Sequence, residues 1–242
     1  MSGWAPVDDL EWLTALATFA ELGSEQGFTE MNGASQKWGS RHIAESAALL
    51  NAARRAGDFQ PEVALEALAT AREPAELAEG RVIAAEALRS WRDDVLEEIE
   101  RCMRSSPRFA GQVALIRFSS PAQVHPVVAG RWIRRLKRMM VMAVNDGYLP
   151  GRVSFALRTS DTRVDLVSFL RRASLVSGVG GLARGHPRAA GGHLAPRDFD
   201  RLLRALGFAA AAGAAARGDT VSGRPQPAAA SSSAGRRRRE PA

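Results

Sequence analysis

Between Gly178 and Leu194 six glycines bracket the run Gly185-His186-Pro187-Arg188. Glycine admits φ > 0 and lets a ligand come close to the main chain, and successive N–H groups in such turns can form an anion-binding concavity. His186 and Arg188 add donors, and a guanidinium suits bidentate contact with phosphate. The same composition also reads as a plain surface loop. Upstream, Val153 to Leu157 has the makeup of a strand leading out to Arg158-Thr159-Ser160, which on its own is an ordinary strand end. A metal pair needs clustered carboxylates and histidines. His42, His125, His186 and His193 lie far apart, none beside another histidine and none preceded by aspartate. Cys102 is the single cysteine, which excludes an internal disulfide and a cysteine-based zinc site.

The elements that must position these residues are legible from periodicity. Asp9 to Leu22 carries Leu10, Leu13, Leu16, Ala17 and Ala20 at helical spacing. Trp38-Gly39-Ser40 interrupts, and Ser40 is placed to cap a second helix through about Arg55. Pro61 begins a third, Glu62 to Ala71. From Pro74 to about Arg104 one apolar stripe predicts a single helix of about 45 Å. Gln112 to Phe118 is short, apolar and β-prone; a helix over VVAGRWIRRL follows it, and then a strand from Met139 to Val144. Thr162 is placed to cap a helix reaching Ala173. A strand over Ala189 to Leu194 and a helix from Arg197 to Leu206 close the pattern. Alternating strands and helices in the second half predict an α/β domain with a mixed sheet. From Ala209 the Ala, Gly, Ser and Pro content predicts a disordered tail.

The run His186 to Gly191, GHPRAAG with Gly185, resembles the signature loop of the DHH-associated C-terminal domain of DHH-family phosphoesterases, which include RecJ-like exonucleases and oligoribonucleases. Here Leu182-Ala183-Arg184 separates Gly180-Gly181 from Gly185, a departure from the family's contiguous glycines. LTALATFAEL is similar to the family's helix that ends in an acidic metal ligand, with Glu21 where that ligand is normally aspartate. LLNAARR resembles the Leu-Asn-Ala-Ala-Gly-Arg segment, with Arg54 in the glycine position and Arg55 on the arginine. Arg158 matches an Arg-Ser dipeptide that helps bind phosphate or base, and Thr159 keeps the hydroxyl. The resemblance implies substrate- or phosphate-binding residues Arg158, Thr159, Gly185, His186, Pro187, Arg188 and Gly191, and manganese or magnesium in the intact family. The Asp-x-Asp and Asp-His-His motifs are missing, so no cofactor and no catalytic residue is assigned to this chain; Glu21 reads first as an exposed helix residue. The implied division is a helical remnant of the catalytic domain over 1–73, a connecting helix over 74–106, the substrate-binding domain over 107–208 and the tail over 209–242. The resemblance begins inside the catalytic half, which leaves three expectations open: a reading frame that starts late, a split or truncated gene, or a non-catalytic relative.

The formal charge of +7 is less informative than its placement. From Arg217 onward six arginines stand against Asp219 and Glu240, so the body is only mildly basic. The densest basic patch in the body is Arg131, Arg134, Arg135, Lys137 and Arg138, which either covers a helix face or touches nucleic acid. With no long uncharged apolar run and no secretory leader, the expectation is a soluble cytoplasmic protein without a membrane partner. Its expected partner is a short single-stranded nucleic acid or a nucleotide. The alternative is a helical interaction or scaffold protein, docking on a separate catalytic half or forming a homodimer. RNA, DNA and cyclic dinucleotides are not told apart by the sequence, nor is cleavage polarity.

Overall fold

A computed structural model describes residues 10–22, 29–180 and 184–208, which fall within one compact unit, Met1–Ala210. The predicted tail lies outside the described residues. The helical half holds α1 (Glu11–Leu22), α2 (Thr29–Trp38), α3 (Ser40–Arg55), α4 (Pro61–Thr70) and α5 (Pro74–Ala78). α3 is the spine of this half, and its Ile43, Ala47, Leu49 and Ala53 are buried among Trp12, Leu16, Leu77 and Leu88. Gly39, at φ 77°, takes the N-cap position of α3 without a side-chain cap, so Ser40 opens the helix rather than capping it.

The single long helix expected from Pro74 is two helices, α5 and α6 (Ala84–Met103). Gly80 breaks it, at φ 77°, with its N–H on the Leu77 carbonyl and the Arg81 N–H on the Glu76 carbonyl. That pair of bonds is a Schellman ending, which uses glycine to turn the chain out of the helix. The apolar stripe runs through the break because both helices face the same core, so periodicity alone does not see it.

The second half is α/β. Its strands are β1 (Arg108–Ala110), β2 (Val113–Phe118), β3 (Met140–Asn145), β4 (Val153–Thr159), β5 (Gly185–His186) and β6 (Ala189–Leu194). They form one six-stranded mixed sheet in the order β1-β2-β3-β4-β6-β5, in which only β2 and β3 are parallel. The crossover helix between those two is α7 (His125–Arg135). Alternation along each strand sends side chains to opposite faces. Leu115, Met142, Phe155 and Leu157 enter a core closed by α8 (Leu166–Ser177) and α9 (Pro196–Ala205). Ile116, Val141, Ala143 and Ala156 enter a second core with α6 and α7. α8 begins four residues after the expected Thr162, because Asp165 caps it and accepts from Val167 N at 3.0 Å.

Candidate phosphate-binding face

Arg158 and His186 lie in one row across the sheet. Arg158 is paired with Val141 on one side and Ala189 on the other, and Ala189 is paired with His186. Directly paired residues share a face, so both side chains stand on the face that carries α6 and α7. Thr159, one residue on, belongs to the opposite face. It is buried, its N–H meets the Arg188 carbonyl at 3.3 Å, and its hydroxyl accepts from Asp161 N at 3.2 Å.

Pro187 and Arg188 form the two-residue turn of the β5–β6 hairpin and are exposed. The turn is tied down by its carbonyls: Pro187 O accepts from Leu166 N at 2.8 Å, and Arg188 O from Thr159 N. Gly185 has φ 126°, and a Cβ there would stand 2.3 Å from the Ala189 carbonyl oxygen. Gly191 is needed for close strand approach, since a Cβ would meet the Phe155 carbonyl oxygen at 2.5 Å. These glycines shape the hairpin and its seat on β4. The expected nest of N–H groups includes residues 181–183, which lie outside those described.

A residue from the helical half joins this face. At the end of α3 the Arg55 carbonyl accepts from Gln123 N at 2.8 Å, and Ala56 packs into the core under α7. Burial holds the Arg55 guanidinium below its ordinary range, and the charges of Arg54 and Arg158 push it lower. Burial likewise lowers Arg158. Among the described residues neither has a carboxylate partner, whereas nine Lys–carboxylate or Arg–carboxylate pairs form elsewhere. Nearby Asp161 is taken by Arg163, at 2.8 and 3.0 Å, which holds its carboxyl down at about 2. Arg55 was visible in the LLNAARR segment, but its approach to Arg158 is a tertiary event with no local signal.

The basic end of α7 lies beside this face. Ser160 Oγ donates to the Lys137 carbonyl at 2.6 Å. Arg131 is paired with Glu100, and Arg135 lies over the Trp132 ring at 5.2 Å. Arg134, Lys137 and Arg138 have no carboxylate partner among the described residues. No group of three or more His, Cys, Asp or Glu among the described residues is arranged to hold a metal ion. The Glu21 side chain lies outside those described. The described residues alone therefore bring together no ligand set for a metal pair.

At the other end of β4, His193 Nδ1 lies 2.8 Å from Ser154 Oγ. Its ring is 6.3 Å from the rings of both His125 and Tyr148, and those two are 5.9 Å apart. His125 is 3% exposed and its Nδ1 is buried without a hydrogen-bond partner among the described residues. Burial, and then the charge of His193, bring its imidazole down to about 4.

No protein-family model matches the chain, and no curated protein matches it. Solved structures do. RecJ from Thermus thermophilus, in complex with Mg2+, superposes with a TM-score of 0.55 at 20% identity, over 86% of this chain and 36% of that one. The DHH domain of a member of the s1p family of ribosomal proteins superposes with a TM-score of 0.52 at 13% identity, over 83% and 49%. The chain has the fold of DHH-family proteins, and it spans about a third to a half of the length of these neighbours. No described helix is long and apolar enough to cross a membrane.

Proposed function

We propose that this chain is the nucleic-acid- or nucleotide-binding portion of a DHH-type phosphoesterase, and that it grips a phosphate between Arg55 and Arg158 with His186 at the rim. The supporting observation is the pair of partly buried guanidiniums, close enough to repel, that no described carboxylate neutralises. Holding cations out of water without a counter-charge is unfavourable. A phosphate supplies that charge and takes bidentate hydrogen bonds from each guanidinium. Arg134, Lys137 and Arg138 then draw in the rest of a strand by charge alone. A short single strand or a dinucleotide fits this arrangement.

In this reading the part played by these residues is binding rather than cleavage. The resemblance implies manganese or magnesium in the intact family, and the described donors do not gather into a metal site. The test is fluorescence polarisation of a labelled, 5′-phosphorylated dinucleotide. Binding in the micromolar range, weakened about tenfold or more by Arg158→Ala and by His186→Ala, is the expected result. Unchanged affinity in both variants rejects the assignment.

One feature favours a second reading, an interaction module. The helical half carries an open groove of about 780 Å³ whose lining includes Leu10, Leu13, Leu65 and Leu68 with Lys37, Arg72 and Glu73 among them, and Leu65 is 67% exposed. Exposed apolar ground of this kind marks an interaction surface. Self-association of the isolated chain in size-exclusion chromatography supports that reading, and a monodisperse monomer opposes it.

A further inference from the structure

The face that carries Arg158 does not end at the phosphate. Its floor continues along β6 through Ala189 and Gly191 to His193. α7 packs over β3 and β4, and leaves this small-residue strip beside it. At the far end the strip meets Tyr148, from the β3–β4 turn, and His193, whose rings lie 6.3 Å apart and tilted by 42°, both near buried His125. His193 is exposed and Tyr148 half-exposed. The His193 ring meets the hydroxyl of fully buried Ser154 through its Nδ1, at 2.8 Å, and that hydrogen bond orients the ring. Burial, and then the charge of Arg152, depress the His193 imidazole, so a cation stands near that ring.

Rings that are pre-positioned and partly uncovered, with a cation near one of them, are what unpaired bases stack on. Every base offers a π-face, so such a platform asks for no particular sequence. We infer that Tyr148 and His193 form a base-stacking platform for a single strand whose phosphate is anchored at Arg55 and Arg158. The inference rests on the phosphate reading above, and it names the ligand more narrowly: a strand longer than a dinucleotide. The Ser154 and Arg158 rows are four residues apart along β4, about 13 Å at the usual strand rise. At the roughly 3.4 Å rise of a stacked strand that is about four nucleotide steps, and fewer for a strand drawn out along the groove. A dinucleotide held at the arginines therefore falls short of the rings, while a hexanucleotide reaches them in either polarity.

The experiment is a polarisation titration of the full chain with two 5′-phosphorylated thymidine oligomers, a dinucleotide and a hexanucleotide. The proteins are the parent, His193→Ala, Tyr148→Ala, Tyr148→Phe and Arg158→Ala. The platform requires the hexanucleotide to bind the parent more tightly than the dinucleotide does. It also requires His193→Ala and Tyr148→Ala to weaken the hexanucleotide about tenfold, as expected for one lost stack, and to leave the dinucleotide unchanged. Tyr148→Phe keeps the ring and should bind like the parent, which separates stacking from damage to the fold. If Arg158→Ala weakens both oligomers while the ring variants weaken neither, the platform is wrong and the phosphate reading survives. If Arg158→Ala weakens neither, the phosphate reading falls, and the platform falls with it.

Discussion

Replacing Arg158 by methionine separates two accounts of that residue, a bare cation waiting for an anion and a strand residue held by native partners. Methionine keeps most of the packing of the arginine stem and deletes the charge. The charge of Arg158 acts on Arg55, and two like unit charges about 8 Å apart, for scale, repel by about 2 kcal/mol at an effective dielectric near 20. Arg55 and Arg158 are only partly buried, and solvent screening cuts that to about 1 kcal/mol. Arg158→Met should therefore raise the melting temperature, by about 2–4 °C for a domain of this size. The assay is thermal unfolding followed by circular dichroism at about 50 mM and about 500 mM NaCl. The variant should melt above the parent at low salt, and the gap should narrow at high salt, where the shorter Debye length screens the repulsion. A phosphorylated dinucleotide should raise the parent's melting temperature and leave the variant's unchanged. A variant that melts several degrees below the parent at both salts would refute the reasoning, because it would mean that the folded chain already satisfies the guanidinium.

Three further outcomes follow from the packing. Gly191→Ala forces a Cβ to within 2.5 Å of the Phe155 carbonyl oxygen, so β4 and β6 must part; the variant should lose about 1–3 kcal/mol in urea unfolding, and an unchanged midpoint would contradict the close approach. Fully buried Asn145 donates to Ala122 O at 2.9 Å and accepts from Ser120 N at 2.9 Å and Gly147 N at 3.0 Å, so Asn145→Ala should cost several kcal/mol in the same assay. His125 titrates near 4 in the fold and about 6.5 unfolded. The unfolded chain takes up its proton first as pH falls, so stability is full above about 6.5 and declines toward 4, by about 3 kcal/mol in all. His125→Asn should flatten that part of the pH profile, and an equally steep profile in the variant would show that other groups cause it.

Much of this fold was written locally. β2, β3 and β4 lie within a residue or two of the expected runs because each is built on a mostly apolar run between turn residues, and β6 (AAGGHL) falls where the resemblance to the family loop led us to expect it. β1 was missed: three residues with two of them exposed leave no alternation to read. α2 was missed too, since TEMNGASQKW has little apolar content and a glycine at its centre. The candidate site divides along the same line. Arg158 and the hairpin glycines stood out through the family resemblance, and period-two alternation already implied that Thr159 faces away from Arg158. Arg55 reaches Arg158 only because the end of α3 is hydrogen-bonded to the segment before α7. His125, Tyr148 and His193 come from a helix start, a turn and a strand, and no spacing in the sequence joins them.

The central claim is that Arg55 and Arg158 hold the same phosphate. Side-chain guanidinium NMR follows both directly, with the two Nε–H resonances assigned by Arg55→Lys and Arg158→Lys. On titration with a 5′-phosphorylated dinucleotide the account predicts that both resonances move together along one binding curve, and that either substitution abolishes the shift of the other. Two resonances that stay in place while the ligand binds, or that move with different affinities, would contradict it.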